Sequence, residues 1–184
     1  VDGVDVRDMT QKELRDKLGY VPQKGVLFSG TIDSNIRYGK PEITDAQVKE
    51  AAEVAQATEF IDTKPEKYKS PVSQGGTNVS GGQKQRLSIA RAIAKDPEIF
   101  IFDDSFSALD FKTDSQLRKA LKEYTKDATT VIVAQRISTI LGADQIIVLD
   151  DGHMAGIGTH KELMADCEVY QQIARSQLSE EELA

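Results

Sequence analysis

The chain lacks most features that mark secreted, membrane-spanning or nucleic-acid-binding proteins. Its single cysteine, Cys167, cannot form an internal disulfide, so a stapled secreted scaffold is excluded and a reducing cytosolic setting is expected. Cys167 also lacks the surrounding His/Cys cluster of a metal site and is read as an incidental residue. No apolar run reaches the ~20 residues of a membrane helix. Val1 brings neither a methionine nor a targeting pattern, so neither a signal peptide nor a membrane span is expected here and Val1 is not expected to be a natural start. Positive charge is in deficit: 23 Lys and Arg against 30 Asp and Glu leave a net charge of −7, with the basic residues scattered, which argues against nucleic acid as a partner. Repeats and low-complexity tracts are missing apart from an acidic tail around Ser179 to Glu182, expected to fray. Tryptophan is absent, yet a hydrophobic fraction of 39% over 184 residues suffices for one folded domain with a sizeable core.

What is present begins with legible helix starts. Thr10-x-x-Glu13, Thr44-x-x-Gln47 and Thr159-x-x-Glu162 are capping boxes, followed by apolar residues at helical spacing such as Leu14 and Leu18, or Val48, Ala51, Ala52 and Ala55. Two further helices follow from Leu87, Ala90 and Ala94, and from Leu117, Ala120, Leu121 and Tyr124. Apolar runs at Ile99 to Phe102, Thr130 to Ala134 and Ile146 to Leu149 alternate with helices, the β-α-β-α-β order of a parallel sheet. Asp151-Gly152 then turns the chain into an antiparallel edge at His153 to Ile157. Between Pro41 and Gln74 the pattern is helical, with no convincing strand.

Two neighbouring segments carry chemistry. Asn78-Val79-Ser80-Gly81-Gly82-Gln83-Lys84-Gln85-Arg86-Leu87 opens a helix with a serine and two glycines. Free backbone N–H groups there, with a macrodipole worth roughly half a positive charge, suit a phosphate. An ordinary Ser80 N-cap with two permissive glycines accounts for the same residues equally well. The strand Ile99-Phe100-Ile101-Phe102, too apolar for a half-exposed position, ends in Asp103-Asp104. Consecutive carboxylates at the C-terminal edge of a parallel sheet fit a magnesium and water site, although two solvated acids closing a strand would look the same.

Together these segments resemble the ATPase domains of ABC transporters. Val79-Ser80-Gly81-Gly82-Gln83 is similar to the signature motif, Ile99 to Asp103 to Walker B, and Ser107-Ala108-Leu109-Asp110 to the D-loop, in the right order and spacing. Gln23, in Tyr20-Val21-Pro22-Gln23, resembles the Q-loop glutamine, and Leu27-Phe28-Ser29-Gly30-Thr31-Ile32 resembles the text after it in exporters with fused membrane domains. Gly158-Thr159-His160-Lys161-Glu162-Leu163 is similar to the C-terminal region of that class, and the resemblance runs from about Val1 to Gln177. Nowhere does G-x-x-x-x-G-K-S/T occur, the loop that cradles the β- and γ-phosphates. The chain is therefore similar to the later two thirds of a nucleotide-binding domain.

The resemblance implies an α/β fold: a partial P-loop NTPase domain with a mostly parallel sheet flanked by helices, plus an α-helical subdomain. Residues 1–40 and 96–177 would form the truncated RecA-like core, 41–95 the helical subdomain with the signature, and 178–184 the frayed tail. It further implies ATP and Mg2+ as cofactors, with Asp103 and Gln23 at the metal. Ser80, Gly81, Gly82 and Gln83 would face the γ-phosphate bound on a partner ATPase domain, with Gln23 also at the nucleotide and Asp110 communicating between the two sites. Arg86 is expected on a solvated helix surface.

Two positions depart from the family pattern. Asp104 stands where most members carry a glutamate base, and it is shorter by one carbon–carbon bond, about 1.5 Å. Gln135 stands where the family has its switch histidine, and glutamine can hydrogen-bond a γ-phosphate but carries no proton. A misplacement of about 1 Å costs on the order of a hundredfold in rate, and a positioned base contributes roughly 10² to 10⁴. The expectation is the ATP-binding motor portion of an exporter, at the cytoplasmic face of the plasma membrane, paired with membrane domains. Its own site would be slow or degenerate within a heterodimer, its signature would serve the partner's site, and the fragment alone would not hydrolyse ATP. The alternatives are a working homodimer, a non-catalytic ATPase-like regulatory module and a soluble ABC ATPase.

Overall fold

The computed structural model describes residues 1–179, so most of the acidic tail lies outside the described residues. Two compact units divide the chain, residues 1–133 and residues from Ala134 onward.

The first unit opens with α1 (Gln11–Lys17), capped by Thr10 and Glu13 as its capping box requires, and β1 (Leu18–Val21). A two-residue β2 (Gly30–Thr31) leads into α2 (Ile32–Ile36), followed by α3 (Asp45–Val54) and α4 (Thr58–Asp62). Strand β3 (Pro71–Val72) pairs antiparallel with β2. The stretch read as free of strands thus holds one, too short to leave a pattern of its own. Then come α5 (Gly81–Lys95), β4 (Ile99–Asp103), α6 (Phe111–Tyr124) and β5 (Thr129–Val133).

Strands β1, β4 and β5 form a parallel sheet in that spatial order, with Tyr20 beside Ile101 and Asp103 beside Val133. Residues alternate across it. Gly19, Val21, Phe100 and Phe102 point to the face on which α5 packs, and Val21, Phe100 and Phe102 are buried there with Leu87, Ile89 and Ile93. Gly19 is required by that approach, since a Cβ would lie 2.6 Å from Pro97 Cγ. Ala51 and Ala52 bring α3 close against α5. Helix α5 stops at Asp96, left-handed at φ +54°, directly before Pro97. The other face carries Tyr20, Ile101, Asp103, Val131 and Val133, and Tyr20 and Val133 remain 55% and 52% exposed.

The second unit contains α7 (Ile137–Ile140), β6 (Ile146–Asp150), β7 (His153–Gly158), α8 (His160–Asp166) and α9 (Glu168–Gln177). Asp151 and Gly152, at φ +45° and +78°, make the two-residue hairpin turn that their sequence predicts. The alternation of apolar runs with helices predicts β6 in the parallel sheet. Among the described residues it pairs with β7 alone, antiparallel, because the hairpin satisfies one edge locally. Cys167 is a free thiol, buried with Ile146, Val148, Leu163 and Tyr170 in this unit's core. The Tyr170 hydroxyl hydrogen-bonds His160 Nδ1 at 2.8 Å.

Candidate functional site

Strand β4 carries two half-buried carboxylates to its C-terminal end. Asp103 is its last residue, and Asp104 follows at φ +45°, a left-handed conformation that Asp tolerates better than most and that turns the chain out of the sheet. The turn is anchored, because the Asp104 N–H donates to Val133 O at 2.9 Å and Ser105 Oγ to Val21 O at 2.7 Å. Parallel pairing brings the end of β1 to the same edge. There the Tyr20 hydroxyl donates to Asp103 Oδ2 at 3.0 Å, a bond that raises the phenol above its ordinary range. Gln23 Nε2 donates to Asp104 Oδ2 at 2.9 Å. The sequence does not single out Tyr20 beside these carboxylates, because β1 leaves little trace of its own and the contact spans 83 residues.

Among the described residues no group of three or more His, Cys, Asp and Glu is placed to hold a metal ion by itself, and this edge offers a cation two carboxylates and the Gln23 amide oxygen. That donor set fits Mg2+, which keeps several waters and binds through one or two carboxylates together with substrate phosphates. A hollow of about 770 Å³ lies instead at the opposite ends of the strands, and its lining of Asp2, Asp96, Glu98 and Asp127 would repel a phosphate.

The start of α5 forms a second cluster. Ser80 Oγ accepts from the Gln83 N–H at 3.2 Å while Gln83 Oε1 accepts from the Ser80 N–H at 3.1 Å, so Gln83 is turned inward to cap its own helix. Gly81 has open space where a side chain would stand, and a Cβ on Gly82 would sit 3.4 Å from Ala108 O. The Ser107 to Asp110 segment therefore lies against the helix start. Asp110 caps α6 through Thr113, whose N–H and hydroxyl hold its carboxyl below the usual carboxylate range.

Arg86 is not solvated as its helical position suggested. Its guanidinium lies 4.9 Å from the centre of the Phe60 ring, and Nη1 donates to Gln56 O at 2.8 Å. Burial pulls it below the ordinary guanidinium range, against the pull of Asp110 and Glu59. Gln135 belongs to the second unit, where its carbonyl accepts from Gln177 Nε2 at 2.9 Å and Gln177 Oε1 accepts from the Ile137 N–H. The structure thus joins Gln23, Asp103 and Asp104 in one cluster, and Ser80 to Gln83 with the Asp110 segment in another.

Residues 1–107 match the ABC transporter family. The chain belongs to that family, as part of its ATP-binding domain. An uncharacterized ABC transporter ATP-binding protein of Mycobacterium tuberculosis is 47% identical over 96% of this chain and 31% of its own length. A Staphylococcus aureus protein, named for multidrug export as an ATP-binding/permease protein, is 44% identical over 94% of this chain and 30% of its own. A bacterial Atm1-family ABC exporter solved with ATP bound superposes with a TM-score of 0.93 and 40% identity, over 97% of this chain and 32% of that one. The chain thus has the ABC ATPase fold and spans about a third of the length of these ABC relatives. No described helix is long and apolar enough to cross a membrane.

Proposed function

We propose that this chain is the later part of the ATP-driven motor of an ABC exporter, acting at the cytoplasmic face of the plasma membrane beside membrane-spanning domains. The observation that carries the reading is the bond from Gln23 to Asp104, which brings the Q-loop glutamine to the carboxylates that close the Walker B strand. The relatives named for export and permease activity support the same reading. Mg2+, when bound, would neutralise phosphate charge. Asp103 and Gln23 hold oxygen donors toward it, and Asp104 orients the attacking water. Gly81 and Gly82 present N–H groups, and Ser80 its hydroxyl proton, to the nucleotide of a partner domain, beside the segment that ends at Asp110. A phosphate-cradling loop with its strand and helix, absent from this sequence, would cover the Tyr20, Ile101, Val131 and Val133 face, since parallel sheets are buried on both sides.

The own site of this domain is slow. Asp104 places its carboxylate about one bond short of a glutamate's reach, from a backbone already turned left-handed. Gln135 hydrogen-bonds without moving a proton. The signature residues lack no part, so the domain serves as the weaker half of a heterodimer whose competent site lies on the partner's cradle. Asp104→Glu with Gln135→His in the complete subunit is expected to raise ATP turnover on the order of tenfold or more, within the range of a restored general base. Steady-state phosphate release measures it, and unchanged turnover overturns the degenerate-site reading.

A further inference from the structure

Gln85 sits about one turn beyond Ser80 and is only 1% exposed. Its amide is used entirely on one loop. Nε2 donates to Pro22 O at 3.0 Å and Oε1 accepts from the Gly25 N–H at 2.8 Å. Those two backbone atoms bracket Gln23, whose own side chain is exposed and reaches Asp104. Gly25 lies hard against the same helix, because a Cβ there would be 2.8 Å from Ser88 Oγ and 2.9 Å from Lys84 O. A buried amide that satisfies one donor and one acceptor is directional in a way an apolar contact is not, so it fixes both the height and the rotation of the loop.

We propose that Gln85 is a positioning residue: it clamps the backbone on both sides of Gln23 to α5, and so sets where the Gln23 amide meets Asp104 and the metal edge. The consequence is a continuous polar connection from the helix that begins at Ser80 to the carboxylates at the end of β4, running through the 22–25 loop. The inference rests on the reading that Gln23 belongs to the nucleotide site.

The test uses the complete protein that carries this chain. Gln85→Leu and the unbranched Gln85→Met keep the volume and remove both bonds. Two readouts are taken: hydrogen exchange of the Gly25 amide without nucleotide, and the factor by which Mg2+ tightens binding of a fluorescent ATP analogue. In Gln85→Leu, exchange at Gly25 is expected to quicken at least tenfold. The Mg2+ factor should fall by about the same amount as in Gln23→Ala, roughly tenfold, with no further loss in the double variant. Gln85→Met should match Gln85→Leu, since both lack the amide. Losses that multiply in the double variant overturn the proposal, as does a Gly25 amide whose exchange is unchanged while Gln23→Ala still weakens the Mg2+ effect. A Gln23→Ala protein with the wild-type Mg2+ factor overturns instead the placement of Gln23 in the nucleotide site, whatever Gly25 does.

Discussion

At the scale of single residues, side chains reach distant segments: Tyr20 and Gln23 bond the Asp103 and Asp104 carboxylates, while Gln85 and Arg86 bond remote backbone carbonyls. Arg86 is the clearest case outside the acids. It takes Gln56 O, at the left-handed residue that follows the α3 segment, and stacks on Phe60 in the middle of α4. Arg86→Ala removes a ring contact and a charge-assisted hydrogen bond together, so a loss of about 1–3 kcal/mol is expected, read as a shifted urea midpoint. Had Arg86 been a solvated surface residue, the midpoint would move by less than about 0.5 kcal/mol. Nothing in the run Gln83-Lys84-Gln85-Arg86 distinguishes the buried Gln85 and Arg86 from their neighbours, because their partners lie 30 to 63 residues away.

At the scale of elements, the helices were the most legible part, because a capping box is complete within four residues. The Thr10, Thr44 and Thr159 boxes all form. In the last, the Thr159 N–H and hydroxyl hold the Glu162 carboxyl below its ordinary value. A depressed carboxylate stabilises the folded chain above its unfolded pKa of about 4.3 and loses that contribution as pH falls through the lower folded value. Helix α8 is therefore expected to loosen in acid below about pH 4, and Glu162→Gln should remove this dependence, since Gln47 already closes a box at Thr44. Hydrogen exchange of the α8 amides between pH 6 and 3 measures it, and equal acid sensitivity in both proteins refutes the assignment. Strands were less legible. The apolar run at Ile99 announces β4, whereas Leu18-Gly19-Tyr20-Val21 is a strand only because β4 lies beside it in register.

At the scale of the whole molecule, the parallel sheet has one face packed by α5 and one left with Tyr20, Ile101, Val131 and Val133. Strand β5 also has one edge without a described neighbour. Apolar surface and open edge together invite association. The 184-residue chain on its own is expected to self-associate, and Val131→Lys with Val133→Lys should shift it toward monomer in light scattering. Association that is unaffected by this pair would place the sticky surface elsewhere.

The sequence by itself determined the local features: the capped helix starts, the Asp151-Gly152 hairpin, the glycine pair that opens α5, and the apolar run that ends in Asp103-Asp104. These are readable because their determinants lie within a few residues of one another. The tertiary structure alone decided which groups meet. Gln23 reaches Asp104 across 81 residues, Tyr20 reaches Asp103 across 83, and Gln85 grips the loop between them, because parallel pairing of β1 with β4 and packing of α5 beneath them bring remote segments to one edge. Such contacts follow from strand register and helix docking, which depend on the whole fold at once.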